Sequence, residues 1–309
     1  MTTNTKKKIS AAFAKKGTYL DKLKSMSGPE QSVAEIRQAM GHLVFEWEPA
    51  RWLDTGFPAL NKVLGHAEKG IPYGRLIEVS GLEQHGKTAV ALSLAATAQK
   101  DGAVVLWSDF ENSWDADWAR KRGLDPDAVM LFAPYFGTFP DEKEPRLVMD
   151  EELCDEAEAA VKALPKTKGS KVLMVVDSIA ALTPAMEEAG KVAGQNLRTR
   201  MERPMMLSSL LRRWVKLAMG HNVAMILINQ LRMNPMAFGD PYYTPGGKAI
   251  DFYTHVRVRL RRKERMKFAG KEVGLTGTIT ASKNKTGGIQ GAVIKYRLRT
   301  DTGTLEFFE

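Results

Sequence analysis

Three observations predict a doubly wound α/β fold whose mostly parallel sheet ends in antiparallel strands. From about residue 75 onward, strand-like and helix-like segments alternate, the pattern of parallel strands joined by crossover helices. Apolar runs such as Val172-Leu173-Met174-Val175-Val176 lack in–out alternation, so they suit strands buried on both faces. Gly81-Leu82-Glu83-Gln84-His85-Gly86-Lys87-Thr88 fits the pattern G-x-x-x-x-G-K-[ST] and sits between a strand-like and a helix-like stretch.

The elements follow in order. Residues 1–26 read as a basic amphipathic helix, with Ile9, Phe13, Tyr19, Leu20 and Leu23 among lysines. Ser25-Met26-Ser27-Gly28-Pro29 then punctuates the chain. A segment this small has no core of its own, so it packs on the main domain, packs on a neighbouring subunit or stays mobile. The chain thus divides into an N-terminal oligomerisation helix with its linker, residues 1–30, and a core, residues 31–309. Leu43-Val44-Phe45 reads as a short strand, and Asp54-Thr55-Gly56 leads into a short helix ending at Gly65. Strands are expected at 75–80, 103–109, 129–133, 171–177, 223–229, 255–261, 275–281 and 292–298. Helices are expected at 87–100, 114–122, 150–163 and 203–220. The last strands follow one another without helices, so the sheet should close with antiparallel strands or hairpins.

Composition narrows the class. The apolar fraction of 44% in 309 residues supports a sizeable core. No apolar run approaches a membrane span and no signal peptide is visible, so a cytoplasmic protein without membrane contact is expected. Cys154 is the only cysteine, which excludes disulfides within the chain, and its acidic surroundings disfavour a thiolate. The net charge is +9 and is segregated. Residues 256–271 hold Arg257, Arg259, Arg261, Arg262, Lys263, Arg265, Lys267 and Lys271 against Glu264 alone. Arg198, Arg200, Arg203, Arg212, Arg213 and Lys216 form a second group. Such segregation suits a nucleic-acid groove, and taken alone it equally suits a solvated charged face.

The loop of residues 81–88 carries chemistry. Its glycines let the backbone curl so that N–H groups point at phosphate oxygens, and the next helix directs its positive end at the same anion. Lys87 would reach the β- and γ-phosphates and Thr88 would hold Mg²⁺. The apolar strand ending in Asp177 would place this carboxylate beside that metal, mostly through water. Glu111 follows the strand Val104-Val105-Leu106-Trp107-Ser108-Asp109 and could orient an attacking water, although spacing alone favours a surface loop carboxylate.

These residues resemble the RecA family of ATP-dependent DNA recombinases. The loop is similar to the bacterial form G-P-E-S-S-G-K-T, with Glu83 kept. Asp109-Phe110-Glu111, Asp115 and Trp118-Ala119-Arg120-Lys121 resemble D-A-E-H-A-L-D-P-x-Y-A-x-x-L. Val175-Val176-Asp177-Ser178-Ile179-Ala180-Ala181-Leu182-Thr183-Pro184 looks like V-V-D-S-V-A-A-L-x-P, and Leu227-Ile228-Asn229-Gln230-Leu231-Arg232 like F-I-N-Q-I-R. Phe238-Gly239-Asp240-Pro241, Gly246-Gly247, Phe252-Tyr253 and Lys283-Asn284-Lys285 continue the match in order.

The resemblance implies a RecA-like P-loop ATPase core with ATP and Mg²⁺ as cofactors. Gly81, Leu82, Glu83, Gln84, His85, Gly86, Lys87, Thr88 and Ala89 would form the binding loop, with Asp115, Trp118 and Asp177 completing the site and Trp118 packing on adenine. Glu111 would activate water and Gln230 would sense the γ-phosphate. Lys283 and Lys285 would reach ATP from the adjacent subunit. Residues 186–203 and 231–247 align with two DNA-binding loops. Expected contacts there are Arg198, Arg200, Arg203, Arg232, Asn234, Phe238, Gly246 and Gly247, with Arg212 beyond the first loop. The partners implied are single- and double-stranded DNA and further copies of the chain in a helical filament that exchanges strands.

The chain also departs from the family. His85 replaces a small serine, and Asp251 replaces a lysine near the ATP interface. The resemblance ends near Glu309, so the family's C-terminal domain, associated with duplex capture, is not expected. These departures fit a compact or phage-encoded member, acting in the host cytoplasm. A helicase motor or recombination mediator on the same fold, or a DNA-binding filament with little exchange, remain alternatives. Asn229-Gln230 together with Lys283-Asn284-Lys285 argue against the first two.

Overall fold

The computed structural model describes residues 51–137, 144, 146–165, 170–184, 197–236 and 239–309, with side chains of the helix beginning at 197 described from Glu202 onward. The basic segment of residues 1–30, the strand expected at Leu43-Val44-Phe45 and Phe238 lie outside these residues.

A small ladder opens the described fold. β1 (Trp52–Leu53) pairs antiparallel with β2 (Ile71–Pro72), and α1 (Pro58–Leu64) lies between them in sequence. Pro58 suits the first helical turn, where its missing N–H costs nothing. The central strands and helices then alternate: β3 (Leu76–Gly81), α2 (Lys87–Lys100), β4 (Val104–Asp109), α3 (Ala116–Lys121) and β5 (Val129–Phe132). A second small ladder, β6 (Phe136–Gly137) with β7 (Arg146–Leu147), precedes α4 (Asp150–Ala163), β8 (Val172–Asp177), α5 (Leu197–His221) and β9 (Val223–Gln230). The pair β10 (Arg232–Met233) and β11 (Tyr242–Tyr243) leads to α6 (Gly247–Tyr253). Four strands finish the chain: β12 (Val256–Phe268), β13 (Lys271–Asn284), β14 (Val293–Arg299) and β15 (Leu305–Phe308).

Nine strands form the main sheet in the order β15-β14-β13-β12-β3-β9-β8-β4-β5. The six from β12 to β5 are parallel, and β13, β14 and β15 add an antiparallel meander. The fold class read from the sequence is therefore the observed one. Alternate side chains of each parallel strand feed two cores. Ile77, Val79, Val105, Trp107, Leu173, Val175 and Ile226 join the core under α1 and α2. Leu76, Leu106, Met174, Val176, Met225 and Leu227 join the core under α4 and α5. Burial on both faces explains why these strands read as continuous apolar runs.

Three expectations shift. The helix expected at 203–220 begins at Leu197 and carries Pro204 inside it, so Arg198 and Arg200 belong to a helix rather than to a loop. The strands expected at 255–261 and 275–281 are longer, forming a ribbon from Val256 to Phe268 and back from Lys271 to Asn284. Ala269 and Gly270 turn it with φ of 49° and 78°, the doubly left-handed conformation of a tight hairpin. β15 was not foreseen. It is four residues long and finds its hydrogen bonds on the edge of β14.

Candidate nucleotide site

The phosphate loop, Gln230, Asp177 and Glu111 lie at or just beyond the C-terminal ends of β3, β9, β8 and β4, which are adjacent in that order. Open parallel sheets place ligands along this edge. The register aligns Gly81 with Gln230 and Asp109 with Asp177 across neighbouring strands.

The loop between β3 and α2 is fixed from its back. Gln84 and Gly86 take positive φ, 56° and 79°, and Gly86 is the residue before α2. A Cβ on Gly86 would also press on Leu298 at 3.2 Å. The Tyr296 hydroxyl donates to the His85 carbonyl at 2.7 Å. Tyr296 reaches it by lying across Gly277, its partner on β13, where a Cβ would meet the ring at 2.5 Å. The His85 imidazole turns away from the loop's mouth: Nδ1 is 3.2 Å from the Leu260 carbonyl and 3.4 Å from the Arg262 N–H. These two contacts require opposite tautomers, and the shorter makes Nδ1 the donor to Leu260. Burial lowers the pKa of His85, the Leu260 contact opposes this, and the charges of Arg262, Lys87 and Arg261 lower it further.

The front of the loop gathers charge. Lys87 Nζ donates to the Leu82 carbonyl at 2.9 Å. Burial lowers its pKa, against the pull of Asp177, Glu111 and Glu83. Thr88 Oγ1 donates to Asp177 Oδ2 at 3.0 Å. Asp177 is 2% exposed, and burial pushes its pKa up to about 7, with Glu111 and Asp109 adding to the rise and Thr88 and Lys87 opposing it. The Asp177 carboxylate beside the Thr88 hydroxyl is an oxygen pair that fits a hard divalent cation. Among the described residues no three acidic, histidine or cysteine side chains converge as a metal cage. Mg²⁺ keeps waters and substrate phosphates among its ligands, so Thr88 and Asp177 would be the chain's share of its shell.

Glu111 is held by contacts that its sequence position did not reveal. Asp109 accepts hydrogen bonds from the backbone N–H groups of Glu111, Ser113 and Trp114 at 3.2, 2.8 and 2.7 Å, which curls the chain after β4. Glu111 Oε1 accepts from Ser178 Oγ at 2.5 Å and from Gln230 Nε2 at 2.9 Å. Beside them a cleft is lined by Thr88, Leu92, Trp107, Ser113, Trp114, Asp115, Trp118 and Asp177. Asp115 caps α3 by accepting from the Trp118 N–H at 2.9 Å. Ser178 stands in the sequence only as part of a motif, because its partner Glu111 is 67 residues away, whereas the partners of Asp109 are local and an Asp followed by a tight turn is the signal that marks it.

Lys283 and Lys285 do not join this cluster. Lys283 pairs with Arg257 on β12, which pairs with Glu78 on β3, so Lys283 lies three residues back from Gly81, about 10 Å along the strand direction. Its ammonium donates to the carbonyls of Asp251 and Thr254. Burial lowers its pKa to about 8, with Lys285 and Arg257 adding to the effect.

The expected DNA contacts are spread out. Arg232 and Asn234 are exposed, and β10–β11 folds the second loop's ends together, with the Asn234 N–H donating to Pro241 at 2.8 Å. Gly246 and Gly247 have φ of 97° and 51° at the start of α6, and a Cβ on Gly246 would strike Ile250 at 2.5 Å. Arg212 is exposed on α5, and Arg203 lies nearer the Asp150 carboxylate. Behind the loop, Arg257 joins Glu78, Asp251 and Thr244, while Asn229 donates to Glu78 at 2.7 Å and to Pro245 at 3.1 Å. Asp251, the departure noted in the sequence, is thus an ion-pair partner of Arg257.

Comparison with known proteins gives the family. The family described as RecA N-terminal domain matches residues 46–293. Protein RecA of Acholeplasma laidlawii is 34% identical over 234 residues, covering 75% of this chain and 64% of that protein. Protein RecA of Nautilia profundicola is 34% identical over 240 residues, covering 77% of this chain and 62% of that protein. The matched stretch therefore spans somewhat under two thirds of these relatives' length. On the breadth of that match, the chain belongs to the RecA family.

Proposed function

We propose that the chain is an ATP-dependent recombination protein that forms a helical filament on single-stranded DNA, pairs it with homologous duplex and exchanges strands. The observation that carries the reading is the Gln230–Glu111 hydrogen bond at the mouth of the phosphate loop. It joins Glu111, the carboxylate proposed to orient water, to the strand end that runs directly into the second loop.

In this reading the loop's N–H groups and Lys87 bind the ATP phosphates, and Trp118 stacks on the base. Mg²⁺, held by Thr88 and Asp177 in part through water, would neutralise charge on the phosphate oxygens. Glu111 takes a proton from the attacking water, and Ser178 and Gln230 hold its carboxylate in place. A shift of Gln230 toward the γ-phosphate would pull on the residues that begin the DNA-facing loop. The sheet register supports Lys283 and Lys285 acting on a neighbouring copy's nucleotide, since they lie back from the nucleotide edge of their own. Arg232, Asn234, Gly246 and Gly247 would meet DNA through its phosphates, without reading sequence.

The test is ATP hydrolysis with and without single-stranded DNA, followed by strand exchange with the same protein. Stimulated hydrolysis with exchange is expected, and hydrolysis indifferent to DNA overturns the reading. Stimulation without exchange leaves a DNA-binding filament instead. Glu111→Gln should cut turnover by about a hundredfold or more while sparing ATP binding. Unaltered turnover removes Glu111 from its role.

A further inference from the structure

Arg122, the residue that closes α3, is 8% exposed. Its Nε, Nη1 and Nη2 atoms are all buried and make no hydrogen bond, and no carboxylate pairs with it among the described residues. A buried guanidinium is ordinarily paired, because removing it from water is costly. Here burial alone lowers its pKa, to about 10, with no anion to restore it. The contact that does exist is aromatic: the guanidinium carbon lies 4.5 Å from the centre of the Trp118 ring. Trp118 also lines the cleft beside Thr88 and Asp177. The indole therefore stands between an unneutralised buried charge and the candidate nucleotide site.

We propose that Arg122 is a positioning residue for the nucleobase, acting through Trp118 to fix and polarise the surface on which the base stacks. Positions 118 and 122 are one helical turn apart, so the planar guanidinium can lie along the indole face and restrict its rotation. A cation on one face draws π density toward itself. The remainder of the ring, which is what Trp118 offers the cleft, becomes less repulsive toward the electron-rich face of a purine. The cost is borne by the fold, which buries a charge without a counter-ion. This inference rests on the nucleotide-binding reading above.

The experiment compares binding of MgATP and of magnesium tripolyphosphate, which lacks the base, by calorimetry. Wild type, Arg122→Leu, Arg122→Lys and Lys87→Ala are measured, with thermal melting of each. Arg122→Leu should bind MgATP about tenfold more weakly, a change of about 1.4 kcal/mol, while tripolyphosphate affinity changes far less. Its melting temperature should rise, since the substitution removes an unpaired buried charge. Arg122→Lys keeps the charge but not the plane and should recover part of the ATP affinity. Unchanged ATP affinity in Arg122→Leu, or equal losses for ATP and tripolyphosphate, overturns the proposal while leaving the site reading intact. Should Arg122→Leu fail to fold, the Lys variant decides in its place: it should lose ATP affinity more than tripolyphosphate affinity, and equal losses for the two overturn the proposal. Wild type that binds MgATP no better than Lys87→Ala does overturns both readings.

Discussion

His85 is a bulky residue inside the phosphate loop, and its contacts explain how the loop accommodates it. The imidazole is directed at β12 rather than at the loop's mouth, so the larger side chain becomes a tether between loop and sheet. His85→Leu keeps the bulk but orphans the Leu260 carbonyl from this donor, which should cost about 1–3 kcal/mol of stability. His85→Asn can donate from its amide and should recover part of that loss. Protonation has a definite sign here. The folded pKa is lowered, so the unfolded chain takes up the proton first, and His85 should cost stability as pH falls below about 6.5. Above that pH both states are neutral and no dependence arises from this group. Chemical denaturation from pH 8 to pH 5 checks the claim: the His85→Asn protein should lose less stability on acidification than wild type. Equal slopes would mean that His85 is not buried neutral.

At the scale of elements, legibility in the sequence followed locality. The phosphate loop and the run ending in Asp177 are contiguous, and burial on both faces gives their strands a strong apolar signal. The ribbon of β12 and β13 was half read, because beyond Leu260 its outward residues are charged on both faces and show no period of two in hydrophobicity. Ser178 is not legible as a site residue because its partner Glu111 is set by the fold, and Arg122, although its partner Trp118 is one turn away, is not legible because its burial is set by the fold. The structure also sorts the basic cluster of residues 256–271. Arg257 pairs with Glu78 and Asp251, Arg259 with Asp240 and Arg265 with Glu272, so these arginines hold the fold together. Lys263 and Lys267 have no acidic partner among the described residues and remain available to phosphates. Replacing both with Gln should weaken binding to single-stranded DNA uniformly across sequences. It should also reduce the slope of log affinity against log salt by about 1.4, the effect of two lost phosphate contacts. An unchanged slope in a salt titration would show that the ribbon does not touch the backbone of that strand.

In the proposed filament each molecule would supply half of a site. Lys87, Thr88, Asp177 and Glu111 lie at one edge of the sheet, whereas Lys283 and Lys285 lie back from that edge, Lys283 being anchored on carbonyls at the end of α6. Copies stacked head to tail would bring one copy's lysines to the next copy's phosphates, and a head-to-tail contact that does not close generates a helix. Hydrolysis would then require assembly, because the cations that stabilise the transferring phosphoryl come from a neighbour. A mixing experiment decides whether this is so. Lys87→Ala lacks a working loop but keeps its lysines, and Lys283→Ala keeps the loop but lacks one of them. Each protein alone should hydrolyse ATP poorly. Mixed in equal amounts on single-stranded DNA, a random filament gives an intact loop facing an intact Lys283 at about one interface in four, so about a quarter of wild-type activity should return. If Lys283 serves its own chain's nucleotide, no interface in the mixture is complete and the activity stays at the sum of the two separate proteins.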